Sequence, residues 1–119
     1  MTYEKHFSVL DKLMGDVSKE MKKDALAIDR AVVLATPVDT GRARANWIVS
    51  NASPANKSSL ETGAQAALSQ GESAIRGHRG LQTIFIQNNL AYIERLNDGY
   101  SKQAPSKYID VILERVANA

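Results

Sequence analysis

The chain has 119 residues, 44% of them hydrophobic and 24% charged, with no cysteine and a formal net charge of +2 at pH 7. That length suits a single domain, 1–119, and the apolar share is too high for global disorder. Without cysteine there is no disulfide framework, no thiolate metal site and no thiol chemistry.

A sequence pI of about 9.0 on so small a net charge does not by itself indicate a nucleic-acid binder, so any basic surface must be local. No apolar run approaches the ~20 residues that cross a bilayer, and Met1 to Ser8 is polar where a signal peptide is apolar. The expectation is a protein made and kept in a cytoplasm, with no membrane partner.

From Phe7 the apolar residues Leu10, Met14, Val17, Met21, Ile28 and Ala35 share one helical stripe, while Lys12, Asp16, Lys19, Glu20, Lys22 and Lys23 form a solvated face. The pattern predicts a helix over about 4–35, ~45 Å long at 1.5 Å per residue, with Gly15 its weak point. That exceeds what one small core needs, so the helix wants a partner outside its own domain. Thr36 and Pro37 stop it.

After Asp39, Thr40 and Gly41 the chain alternates, with Ala43, Ala45, Trp47 and Val49 on one face and Arg42, Arg44, Asn46 and Ser50 on the other, which predicts a half-buried strand. Asn51 to Ser59 has the composition of a mobile loop. Ser58 and Glu61 have capping-box spacing ahead of a helix carrying Leu60, Ala64, Ala67, Leu68 and Ile75, with Gly63 and Gly71 as weak points.

Gly77, His78, Arg79 and Gly80 make a basic turn before a second strand within 81–88, rich in β-branched and aromatic residues and read as buried on both sides. A short helix holds Leu90, Ile93 and Leu96 and ends at Asp98 and Gly99. Pro105 suits the first position of a last helix with Ile109, Ile112, Leu113 and Val116 on its apolar face. The order is helix, strand, helix, strand, short helix, helix.

The sharpest string is Thr36-Pro37-Val38-Asp39-Thr40-Gly41-Arg42. As a structural turn, Pro37 ends the helix, Asp39 closes on its own backbone beside Thr40, and Gly41 supplies a positive φ or a close approach. Asp-Thr-Gly also occurs in dimeric aspartic proteases, where two carboxylates share a proton, but there the string follows an apolar strand and precedes a small residue. Here a helix and a proline come before it and an arginine after.

A third reading takes Arg42 and Arg44, with Arg76, His78 and Arg79, as phosphate contacts of a non-specific DNA-binding accessory protein. The face opposite those arginines carries Trp47, so no aromatic stands ready for base stacking. His6 and His78 read as surface residues without acidic neighbours at ligand spacing, so no metal is expected. No phosphate loop, dinucleotide string or nucleophile elbow occurs, so neither a cofactor nor a catalytic residue is assigned.

Pro37-Val38-Asp39-Thr40-Gly41-Arg42 followed by Asn46-Trp47 resembles the signature opening the first strand of bacteriophage neck and tail-completion proteins, the head–tail joining group that includes minor tail protein Z-like chains. A second block resembles the same family: Ile86, Asn88 and Asn89, then Ala91-Tyr92-Ile93-Glu94-Arg95-Leu96, Gly99-Tyr100-Ser101 and Gln103-Ala104-Pro105. The chain departs from that pattern at Asn97 and Asp98, where the family has an acidic and an aromatic residue, and at Ser106 and Lys107, where many members have a second glycine.

The resemblance implies an α+β subunit with a long N-terminal helix, a small antiparallel sheet, and flanking shorter helices including a C-terminal one. It also implies a non-enzymatic virion protein assembled in the host cytoplasm, a homo-oligomeric ring, expected to be sixfold, in the neck or upper tail. Its partners would be connector and tail proteins and, without sequence reading, the DNA in the channel. On that footing Arg42, Arg44, Arg76 and Arg79 are expected at subunit contacts or the channel, and Trp47, Tyr92, Leu96 and Ile112 in the core.

Overall fold

The computed structural model describes residues 3–37, 42–55, 58, 63–90, 93–99 and 107–118, and for 3–11 the backbone alone. The fold is α+β, as the sequence predicts. Helix α1 (Tyr3–Ala35) leads through a helical turn, α2 (Arg42–Ala45), into β1 (Trp47–Asn51). Then come α3 (Ala64–Gly77), β2 (Ile84–Asn88), the short α4 (Ile93–Asn97) and α5 (Tyr108–Ala117). The two strands pair antiparallel, from Trp47 opposite Asn88 to Asn51 opposite Ile84.

The C-terminal half of α1 packs on α3 and α5, and α3 packs on β1. One buried cluster joins Val32 and Val33 of α1 to Trp47, Ala67, Tyr108 and Ile112, and a second joins Ala25 to Val49 and Ile75. Trp47 and Ile112 are therefore core residues, as expected; Leu96 is half-buried against the first cluster, and Tyr92 lies outside the described residues. Helix α1 runs unbroken through Gly15, so one glycine does not outweigh the rest of the stripe.

The predicted first strand is corrected at its start. Residues 42–45 form a helical turn and β1 begins at Trp47, so Arg42 and Arg44 lie on no strand face. Alanine and arginine favour helix, and the turn is closed by the Asn46 amide, whose Nδ2 donates to the Arg42 carbonyl at 2.8 Å. Ala43, Ala45, Trp47 and Val49 are all inside, as the alternation predicts, but Asn46, expected on the opposite face, is fully buried too, and half of the pattern belongs to a turn.

Three smaller expectations also change. Residues 52–55 of the expected mobile loop are tied to the second strand: Ala52 N donates to Thr83 O at 2.9 Å and Ala55 N to Gln87 Oε1 at 2.7 Å. Helix α3 starts after Gly63, which occupies the N-cap at φ 90° with no side-chain cap, so Ser58 does not cap it; Glu61 lies outside the described residues. Strand β2 is half-buried throughout, not buried on both sides. Pro105 lies outside the described residues, and α5 is entered through Lys107 at φ 60°.

Candidate functional site

At the end of α1 one hydroxyl joins three elements. Thr36 Oγ1 donates to the Val32 carbonyl at 2.6 Å and accepts from Trp47 Nε1 at 2.8 Å. Its single proton is thereby used, so the Tyr108 hydroxyl, 3.2 Å away, donates to it. All three capacities of one buried oxygen are filled, which fixes α1, β1 and α5 together. Burial pushes the Tyr108 hydroxyl above its ordinary pKa.

Arg44 completes the corner. Its Nε donates to Thr36 O and its NH2 to Leu34 O, both at 2.7 Å, satisfying carbonyls that the helix end leaves open. Of the string that sequence singled out, Pro37 is buried at this corner, while Asp39, Thr40 and Gly41 lie outside the described residues.

The four arginines expected together are separated in role. Arg44 is engaged inside the subunit, and Arg76 pairs across one turn of α3 with Glu72 on the surface. Arg42 is half-buried in α2. Arg79 is exposed beyond the end of α3, facing Lys19 and Lys22 of α1 across a cleft. No single surface gathers all four.

Helix α1 exposes apolar side chains beside its charged ones. From Lys12 to Glu20 every residue but Ser18 is exposed, including Leu13 (55%), Met14 (46%) and Val17 (50%). Met14 lies on the stripe that further along buries Ala25 and Val32. The molecule measures 61 × 29 × 20 Å with a radius of gyration of 16.8 Å, against about 13.5 Å for a compact chain of this length. The N-terminal half of α1 accounts for the excess, since a helix of 33 residues runs to about 50 Å.

Besides Asn46, two buried polar residues were not anticipated. Asp29 is fully buried on the core face of α1, with both carboxyl oxygens lacking a partner among the described residues. Desolvation pushes its pKa from 3.8 up to about 6, against the pull of the Arg30 charge. Opposite it Gly71 of α3 leaves the room it needs: a Cβ there would lie 2.0 Å from Asp29 Oδ2.

His78, expected at the surface, is 1% exposed; its Nε2 meets the Gln82 carbonyl at 2.7 Å and its buried Nδ1 has no partner among the described residues. Asp29 could have been found from its place on the apolar stripe, one turn from Ala25 and Val32. His78 carried no comparable signal, because its burial comes from α1 crossing over the turn.

Among the described residues, no three His, Asp or Glu side chains gather as a metal site would require, and no helix is long and apolar enough to cross a membrane. Family models, curated proteins and solved structures were each compared with the chain, and none of the three gives a match.

Proposed function

We propose that the protein is a structural subunit of a tailed-bacteriophage virion, assembling into a ring at the head–tail junction as a neck or tail-completion protein. The observation that carries this reading is the half of α1 that projects beyond the core with Leu13, Met14 and Val17 uncovered. A helix that continues its buried stripe into solvent is built to be completed by another chain. The two sequence blocks around Pro37–Trp47 and Ile86–Pro105 that resemble that family supply the place of assembly.

In this reading the occupant of the α1 stripe is a second copy of the chain. A head-to-tail contact repeated by a closing rotation gives a ring. The corner of Thr36, Trp47, Tyr108 and Arg44 then holds the lever of α1 at a fixed angle to the body, so each copy presents it alike. Among the described residues the buried carboxyl without a hydrogen-bond partner, Asp29, lies against Gly71 of α3.

The test is negative-stain imaging of the purified protein, alone and mixed with connector or tail-tube proteins. Rings of uniform diameter are expected. Isolated particles in every mixture would refute the proposal.

A further inference from the structure

A cleft of about 500 Å³ opens between the middle of α1 and the turn that follows α3. Its α1 wall runs from Met14 through Gly15, Ser18 and Lys19 to Lys22, and the turn supplies His78 and Arg79. No carboxylate lines it. Lys19 and Arg79 are exposed and close no ion pair among the described residues. The Lys22 ammonium lies 3.4 Å from the Arg76 carbonyl at the end of α3, which holds its charge at the mouth.

The His78 ring adds a polar wall. Its Nε2 must carry a proton to donate to the Gln82 carbonyl, and the buried Nδ1 has no partner among the described residues. Gly15 has no atom within 4 Å of where its Cβ would be, so the absent side chain keeps the cleft open. Three cations from two elements around an open cleft without acids suit phosphate oxygens, and the one ring that lines it, His78, is too buried to stack on a base.

We infer that this cleft binds backbone phosphates of double-stranded DNA. The choice of polymer rests on the proposed place at a junction through which DNA passes; the phosphate chemistry rests on the cleft alone. Lys19, Lys22 and Arg79 make the contacts at its rim. Binding is independent of sequence and depends steeply on salt.

The test is fluorescence anisotropy with a labelled duplex of about 20 base pairs between 50 and 200 mM salt, with inorganic phosphate measured alongside. For three phosphate contacts the logarithm of the binding constant should fall with that of salt at a slope of about −2.7. Lys19→Gln combined with Arg79→Gln, both on exposed side chains, should remove about two of that slope and weaken binding at 50 mM roughly tenfold. Gly15→Glu, which enters open space and puts a carboxylate in the cleft, should weaken it as much while the far-ultraviolet circular dichroism stays unchanged.

Duplex binding that both variants leave intact, no duplex binding at 50 mM salt, or binding of inorganic phosphate alone would overturn the inference. Rings that bind no duplex would remove this inference and leave the assembly reading. Salt-sensitive, cleft-dependent binding by a chain that never forms rings would do the reverse.

Discussion

Asp29 gives the sharpest stability test, because a carboxyl whose oxygens lack partners is placed against Gly71 at the helix crossing. Its pKa in the folded protein is raised from 3.8 to about 6, so the native state holds the proton to higher pH than the unfolded chain does. Its favourable contribution is therefore complete below about pH 3.8 and is lost as pH rises through about 6. At about 1.4 kcal/mol per pH unit over that interval, burying the charged form costs about 3 kcal/mol at neutral pH.

Asp29→Asn keeps the shape and cannot ionise. Relative to wild type it should be nearly neutral at pH 4 and stabilising by about 2–3 kcal/mol at pH 7.5. Urea unfolding at a series of pH values reads this as a midpoint gap that opens to about 1–3 M, given slopes of about 1–3 kcal/mol per molar. Parallel midpoint-versus-pH curves for the two proteins would refute the reasoning.

Gly71→Ala gains about 1 kcal/mol of helix propensity but drives a Cβ to 2.0 Å from Asp29 Oδ2, so it should destabilise by about 1–3 kcal/mol net. Adding Asp29→Ala should recover most of that loss in a double-mutant cycle, since the clash is with that side chain. Thr36→Val leaves the Trp47 Nε1–H and the Tyr108 hydroxyl without their common acceptor, and thermal unfolding should show a loss of about 2–4 kcal/mol. Trp47→Ala removes the same bond and opens the main cluster, costing about 3–5 kcal/mol; a folded variant with unchanged stability would contradict its place in the core.

How much the sequence disclosed depended on whether the deciding force was local. The stripe from Leu10 to Ala35 carried α1 nearly to its observed ends, because burial at spacings of three and four is written in the residues themselves. Residues 42–45 were misassigned because buried alanines two apart satisfy a strand pattern. Their helical turn is settled by bonds from Arg44 and Asn46, of which those from Arg44 reach back to α1. Gly71 looked like a weak point in α3 and is a close approach, which only the position of Asp29 on another helix explains.

The candidate site was legible in its materials and not in its layout. The basic residues around 76–79 were visible, but their neighbours Lys19 and Lys22 had been placed on the solvated face of α1. The sequence groups Arg42 and Arg44 with them, whereas Arg44 is committed to the end of α1. The excess length of α1 was readable at once from the count of turns, and the exposure of Leu13, Met14 and Val17 is its structural form.

That exposure is where the account is most open to contradiction. Light scattering after size exclusion should give wild-type protein a mass that is a multiple of the 13.0 kDa chain, about 78 kDa for a sixfold ring. Leu13→Glu combined with Val17→Glu, on exposed side chains outside both core clusters and outside the basic cleft, should reduce that mass to a single chain with unchanged helicity. An oligomer of undiminished mass in the double variant, or a wild type that stays at 13.0 kDa at every concentration, would contradict the claim that α1 carries the assembly.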